Sequence, residues 1–191
     1  MAAKRGLDLG DVLTAGLHVL DEHGVDGVSL RAVADLCGVQ PPSLYSHVNG
    51  VSGLLDDLAL ACVDEFGATL RDSAVGVAGD DAIRSFASAY RNWANAYPGR
   101  YELTLRSVAP NARRDAGRGA MDTMGRVLAH YGLSDRDARR TGRALRAALH
   151  GFVTLEAADA LGRSDRSASF DALIAVFIDA LHRQQPAPLA G

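Results

Sequence analysis

The chain has 191 residues, of which 48% are apolar and 23% are charged, and its formal net charge is −3. These values are ordinary for a soluble globular protein of one large domain or two small ones. No run of about 18 apolar residues occurs, and no apolar run follows the basic pair Lys4 and Arg5, which argues against a membrane span or a secretory signal. We expect a cytoplasmic protein with no membrane partner.

Apolar residues recur at intervals of three and four along almost the whole chain, and strand-like alternation is nearly absent. This pattern predicts an all-α fold of about nine helices. The small residues of 74–79 are typical of a joint between two helical regions. We predict an N-terminal domain over 1–50, a helical-bundle domain over 51–185 and a flexible tail over 186–191, with the fourth helix leading from the first domain to the second.

The first four helices are predicted over 8–23, 29–38, 41–48 and 51–71. Ser29 is a favourable N-cap residue for the second of them, and glycines follow the first two, as helix C-termini favour. The remaining segments are predicted over 81–97 and 101–105, from Pro110 to Tyr131, over 135–160 and over 169–184.

Two adjacent prolines, Pro41 and Pro42, open the third helix. Proline costs about 3 kcal/mol inside a helix, but the first turn tolerates it because those amides have no intrahelical partner. Pro41 also favours the extended backbone that an N-cap residue needs at Gln40. Pro42 disfavours the helical region for Pro41 in turn, so the doublet carries some strain.

Only Gly38, Val39 and Gln40 join the second and third helices, and a tight turn of this length is typical of a helix-turn-helix. In that motif the second helix enters the major groove of DNA and presents its N-terminal residues to base edges. The spacing therefore predicts DNA binding, with proline rings available to thymine methyl groups.

The stretch "VSLRAVADLCGVQPPSLYSHV", with one helix before it and a long helical remainder, resembles the TetR (tetracycline-repressor) family of transcriptional regulators. The resemblance implies phosphate contacts from Ser29, base or backbone contacts from Arg31, and phosphate or groove-edge contacts from Tyr45 and His47. The full set of DNA-contact candidates is Ser29, Arg31, Gln40, Pro41, Pro42, Ser43, Tyr45 and His47.

The same resemblance implies a ligand-responsive repressor that binds a near-palindromic operator in double-stranded DNA as a homodimer and is released by a small-molecule effector. Trp93 and the pair His150-Gly151 are similar to the WHG type of C-terminal regulatory domain. No cofactor is implied.

Each candidate also has a purely structural interpretation. Arg31 and Tyr45 can be ordinary surface residues, and His47 can be a C-terminal cap favoured by the helix dipole. Ser29 is an N-cap in either case. Val51 stands where the family usually has a lysine at the start of the fourth helix, so a charged phosphate contact is missing.

Residues 1–48 carry three basic and six acidic side chains, a net charge of −3. A generic basic patch is therefore absent. We expect few neutralised phosphates and a log–log salt slope no steeper than roughly −8 for a dimer.

Apolar stripes on the last two helices predict a four-helix bundle with a second copy. The alternative is that the stripes pack inside a monomer. The interface candidates are Leu145, Leu149, Val153, Phe170, Leu173, Ile174, Phe177 and Leu181.

Glu156 falls on an apolar stripe, where a carboxylate is costly unless it is paired or hydrogen-bonded. It can line a ligand pocket with aromatic and methionine side chains, or it can be bonded to His150 or an arginine in a filled core. The pocket candidates are Tyr90, Trp93, Tyr97, Met121, Met124, His150, Phe152 and Glu156.

The sequence lacks a Ser-His-Asp elbow, a glycine-rich phosphate loop and a paired zinc-ligand signature, so we do not expect an enzyme. Cys37 and Cys62 lie in apolar helical patterns and are interpreted as packing residues. The remaining alternative is a helical small-molecule or metal-binding protein, with His130 among possible ligands, that does not bind specific DNA sequences.

Overall fold

The computed structural model describes residues 6–106, 122–162 and 165–184 of the chain. Every regular element within these ranges is helical, which confirms the predicted fold class. None of the helices in these ranges combines the length and the apolar composition needed to cross a bilayer. The predicted tail over 186–191 lies outside the described residues.

The elements lie close to their predicted positions, except that residues 110–121 of the helix predicted from Pro110 lie outside the described residues. In chain order they are α1 (Leu9–Gly27), α2 (Leu30–Cys37), a 3₁₀ helix (Pro41–Ser46), α3 (Gly50–Ser73), α4 (Gly79–Ala96), α5 (Pro98–Leu105), α6 (described over 122–129), α7 (Asp135–Ala157) and α8 (Arg166–Gln184).

Local side-chain chemistry sets several of these ends. Asp8 and Asp11 form a reciprocal capping box at the start of α1, where each carboxylate accepts the other residue's amide. Gly24 interrupts α1 with φ of 68°, at the point where the sequence predicts its end. Ser29 Oγ accepts the amide of Ala32 at 3.2 Å and begins α2.

The chain divides into two compact units, and the first is larger than the predicted N-terminal domain. It comprises residues up to Glu65 together with the segment from Tyr97, whereas the second comprises 66–96 and the residues after 116. The first unit extends past residue 50 because the first half of α3 buries Leu54 and Leu58. Helix α5 joins it by packing against α1.

The core of the first unit brings α1 and α3 into close contact. A Cβ added to Gly16 of α1 would lie 3.0 Å from a methyl carbon of Leu58, so the glycine makes this approach possible. Cys62 is fully buried, and burial raises the pKa of its thiol to about 12. Cys62 is therefore the packing residue that the sequence predicts, whereas Cys37 is only half-buried.

In the second unit, α4 packs against both α7 and α8. Asp80 in the first turn of α4 accepts hydrogen bonds from the Tyr131 hydroxyl at 2.7 Å and contacts His182 Nε2 at 2.9 Å. These two hydrogen bonds lower the pKa of Asp80, with Tyr131 making the larger contribution. The carboxylate thus ties the start of α4 to the end of α8.

Candidate nucleic-acid interface

The turn between α2 and the 3₁₀ helix has the geometry of a helix-turn-helix. Gly38 adopts the left-handed conformation, with φ of 66° and ψ of 32°, and its amide donates to carbonyls of the last turn of α2. Glycine adopts this conformation without the strain that a Cβ causes. Gln40 is extended and caps the next helix, and its carbonyl accepts the Ser43 amide at 2.9 Å.

The proline-led segment is a 3₁₀ helix, where the sequence predicts an ordinary short helix. Pro41 and Pro42 occupy its first two positions, and the bonds that follow are of the i to i+3 kind, with His47 N donating to Leu44 O at 2.9 Å. Two prolines in succession remove two amide donors, and the second disfavours the α region for the first. A tighter turn of six residues accommodates both effects.

This 3₁₀ helix has one anchored side and one open side. Leu44 is fully buried and Val48 nearly so. Pro42, Ser43 and Tyr45 are exposed, and Tyr45 retains 63% of its accessible surface. The buried residues fix the helix to the first unit while the exposed ones are available for base edges.

The remaining DNA-contact candidates differ in their exposure. The Arg31 side chain is 86% exposed and lies 3.9 Å from the Asp35 carboxylate one turn later. Ser29 is half-buried because it caps α2, and Gln40 is exposed. His47 is the C-cap residue of the 3₁₀ helix, which is the structural alternative that the sequence left open.

A cleft of about 580 Å³ also opens in the first unit, between α1 and α2. Its lining includes Asp11, His18 and Cys37, and it contains none of the pocket candidates from the sequence. The Sγ of Cys37 approaches the backbone carbonyl of Asp11 at 4.0 Å.

Two pocket candidates of the second unit, Tyr90 and Trp93, belong to an aromatic cluster. Phe66 stacks on Trp93 with 4.6 Å between ring centroids, and it meets Tyr90 edge-on at 4.9 Å. Tyr90, Trp93 and Met124 are buried. Sequence reasoning missed Phe66, although it follows Cys62 by one turn on α3.

Two further pocket candidates do not lie with this cluster. Tyr97 belongs to the first unit, where the Arg100 guanidinium lies 4.5 Å above its ring. Its assignment to the pocket stays a prediction, and the aromatic stripe of α4 ends where the chain returns to the first unit. Met121 lies outside the described residues.

Glu156 is an internally paired carboxylate. Arg91 donates to it from Nε at 2.9 Å and from Nη2 at 2.5 Å, and Asn95 Nδ2 donates at 3.0 Å. The Arg91 guanidinium also lies over the rings of Phe152 and Phe170 at 5.4 and 4.8 Å. These contacts match the filled-core alternative with an arginine partner.

His150 lies six residues before Glu156 on α7. Its Nδ1 is 3.5 Å from the Thr154 hydroxyl. No group of three or more His, Cys, Asp or Glu residues with metal-binding geometry occurs among the described residues.

Most of the predicted dimer-interface side chains are buried within a single chain. Six of the eight have at most 3% of their surface exposed and belong to the core of the second unit. They are Leu145, Leu149, Val153, Phe170, Ile174 and Leu181. Leu173 and Phe177 are half-buried. This burial favours the monomer-packing alternative for these stripes, and their place in a dimer interface stays a prediction.

The solvent-facing sides of α7 and α8 carry a different set of residues. Leu155 is 46% exposed and Val176 is 65% exposed, although both are apolar. Small residues accompany them at intervals of four, which places each set along one line of its helix. We call this set the small-residue face: Ala147, Gly151, Leu155, Ala172 and Val176.

Two family models match the chain in its two parts. Residues 12–55 match the model described as "Bacterial regulatory proteins, tetR family". Residues 83–177 match the model described as "Tetracyclin repressor-like, C-terminal domain".

Curated relatives and solved structures agree with these matches. The uncharacterized HTH-type transcriptional regulator YobS of Bacillus subtilis strain 168 is 32% identical over 86% of this chain and 87% of its own length. The class A tetracycline repressor from transposon 1721 of Escherichia coli is 29% identical over 91% of this chain and 90% of its own length. A TetR variant from Acinetobacter baumannii AYE in complex with minocycline has a similar fold, with a TM-score of 0.72 and 23% identity. The match covers 95% of this chain and 100% of the variant's chain.

Proposed function

The chain belongs to the TetR family of DNA-binding transcriptional regulators, and from this premise we propose that it is a homodimeric repressor released by a small molecule. The observation that carries the proposal is the proline-led 3₁₀ helix, which is held by buried Leu44 and exposes Pro42, Ser43 and Tyr45. They form the base-reading surface.

Base contacts and phosphate contacts have separate sources in this proposal. Ser43 and the proline rings meet base edges and thymine methyl groups, and Arg31 reaches a guanine or the backbone. Asp35 lies close enough to Arg31 to compete with a phosphate for its guanidinium. Affinity thus depends on shape and base contacts more than on generic charge attraction.

The second copy docks on the small-residue face. Leu155 and Val176 supply the apolar contact, and the small residues around them allow close approach of two helices. A twofold axis through this face makes the interface self-complementary. Two reading surfaces about 34 Å apart then engage successive major grooves of a near-palindromic operator.

The effector binds in the second unit, where Phe66, Tyr90 and Trp93 supply aromatic walls. The class A relative is named a tetracycline repressor, which is a precedent for small-molecule control in this family. A hundredfold loss of operator affinity requires the effector to prefer the released conformation by about 3 kcal/mol. Helix α3 carries the coupling, because it contributes residues to both units.

The test is selection of bound sequences from a pool of random duplexes, followed by affinity measurements on the selected operator. We expect a palindromic consensus, and Arg31→Ala and Ser43→Ala each to lose about tenfold or more in affinity. Arg84→Ala and Ser88→Ala are matched controls because both residues are exposed on α4, far along the chain from the motif. Enrichment of no sequence, or equal losses in the controls, contradicts the proposal.

A further inference from the structure

The chain leaves the first unit after Glu65 and returns to it at Tyr97. Helix α5 begins one residue after that return and packs against α1. The first unit is therefore assembled from two separate segments. Its helix-turn-helix belongs to the first segment, and α5 belongs to the second.

Arg100 of α5 joins three elements of this unit. It donates to Asp21 of α1 from Nε at 2.8 Å and from Nη2 at 2.5 Å, and to Glu65 of α3 from Nη1 at 2.6 Å. Its side chain is only 15% exposed. We call these three residues the Arg100 clamp.

The electrostatics and the shape of the clamp favour arginine specifically. The hydrogen bond to Asp21, and the charges of Glu65 and Asp21, raise the pKa of Arg100 above its already high ordinary value. A planar guanidinium presents a fork that engages two carboxylates at once, which a lysine ammonium does not reproduce. The clamp thus holds α1 and α3 at a fixed separation.

An independent contact shows how closely α5 lies against α1. A Cβ added to Gly99 would lie 2.8 Å from the backbone carbonyl oxygen of Leu20. Further along α5, Leu103 is fully buried and Tyr101 nearly so. At Gly99 the backbone of α5 therefore packs against α1 at a distance that only glycine allows.

We infer that Arg100 is a positioning residue for the DNA-reading surface, although it lies more than fifty residues beyond the helix-turn-helix. Helix α1 is the shared element, because it packs against α5 on one side and against α2 on another. The clamp also joins the two places where the chain passes between units, Glu65 and the segment after Tyr97. This inference rests on the proposed function.

The experiment compares full-length Arg100→Met with Arg106→Met. Arg106 is the C-cap residue of the same helix, is 44% exposed and bonds Glu102 one turn away, so it is a matched control. In Arg100→Met we expect faster hydrogen exchange of the amides of α2 and the 3₁₀ helix, and about tenfold weaker binding to the selected operator. Arg106→Met keeps wild-type values for both. The pair Asp21→Asn and Glu65→Gln reproduces the effect, and adding Arg100→Met to that pair causes no further loss.

The outcomes separate the inference from the proposed function. A lower melting temperature with unchanged exchange in the motif and unchanged operator affinity overturns the inference, since a merely structural contact behaves that way. If the wild-type protein selects no duplex, the proposed function fails, and the exchange measurement alone decides whether the clamp positions the motif. If Arg100→Met does not fold, Arg100→Lys and the double carboxamide variant provide the same two readouts.

Discussion

At the scale of single residues, Glu156 shows how a carboxylate becomes part of a core. Its hydrogen bonds to Arg91 and Asn95 satisfy both oxygens, and the two phenylalanine rings under Arg91 shield the pair. We predict that Glu156→Gln lowers the free energy of unfolding by about 3 kcal/mol, because it leaves a part-buried guanidinium without its counter-charge. Denaturant unfolding measures this change.

The control for that substitution is Glu102→Gln. Glu102 pairs with Arg106 at 3.4 Å on an exposed surface, and such pairs contribute about 0–1 kcal/mol. Equal losses in the two variants would show that pairing of Glu156 contributes nothing beyond a surface ion pair.

The same pair has a defined pH dependence. Hydrogen bonding from Arg91 is the main reason that the pKa of Glu156 lies below its ordinary value. A carboxylate with a lowered folded-state pKa adds stability that is fully present above about pH 4.3 and is lost as the pH falls through the folded-state pKa. We therefore predict a constant stability difference between wild type and Glu156→Gln near neutral pH, and a shrinking one in acid. A difference that grows in acid would refute this assignment.

Sequence reasoning reached Glu156 but not its partner. Local periodicity places Glu156 on an apolar stripe, where a carboxylate needs a charged or hydrogen-bonding partner. Arg91 lies 65 residues earlier, on another helix, and only tertiary packing brings the two together. The same limit applies to Tyr97, since a stripe along one helix does not show where the chain changes unit.

At the scale of elements, the start of α3 offers a direct test of the phosphate argument. Val51 is exposed in the first turn of α3, two residues after the loop that follows the 3₁₀ helix. We predict that Val51→Lys adds one phosphate contact in each half-site, steepening the salt slope of a dimer by about 2 and tightening operator binding at low salt. Affinity titrations at several salt concentrations measure both effects.

Val51→Gln is the matched variant, because it adds polarity and length without charge. It should leave the salt slope within error of the wild type. A wild-type slope already steeper than roughly −8 would mean that more phosphates are neutralised than residues 1–48 can account for.

Most helix boundaries could be predicted from the sequence, because capping contacts join residues that are close together in the chain. Ser29 and Gly38 begin and end α2 through contacts within four residues, and the sequence identified both. The 3₁₀ form of the Pro41 helix was not predicted, since two prolines can begin either kind of helix. Nor was the outward side of α8 predicted, because the sequence shows an apolar stripe on this helix but not whether its own chain or a second copy covers that stripe.

At the scale of the whole molecule, burial within one chain bears on where the proposed second copy docks. Phe170 and Ile174 of α8 are already covered within one chain, whereas Ala172 and Val176 are exposed. Val176 exposes 65% of its surface, and covering this apolar side chain with a twofold copy is favourable. We therefore propose that the second copy docks on the exposed side of α8.

Val176→Glu tests this assignment. A twofold axis near Val176 brings the two introduced carboxylates together, and like charges facing each other across an interface cost several kcal/mol. We predict a monomer by analytical ultracentrifugation, with weaker operator binding because one subunit engages only one half-site. Val75→Glu is the control, since Val75 is 76% exposed in the joint before α4 and lies outside the small-residue face. A dimeric Val176→Glu protein with wild-type operator affinity would place the twofold axis elsewhere on the surface, and the spacing of the reading helices would then have to be set by another pair of elements.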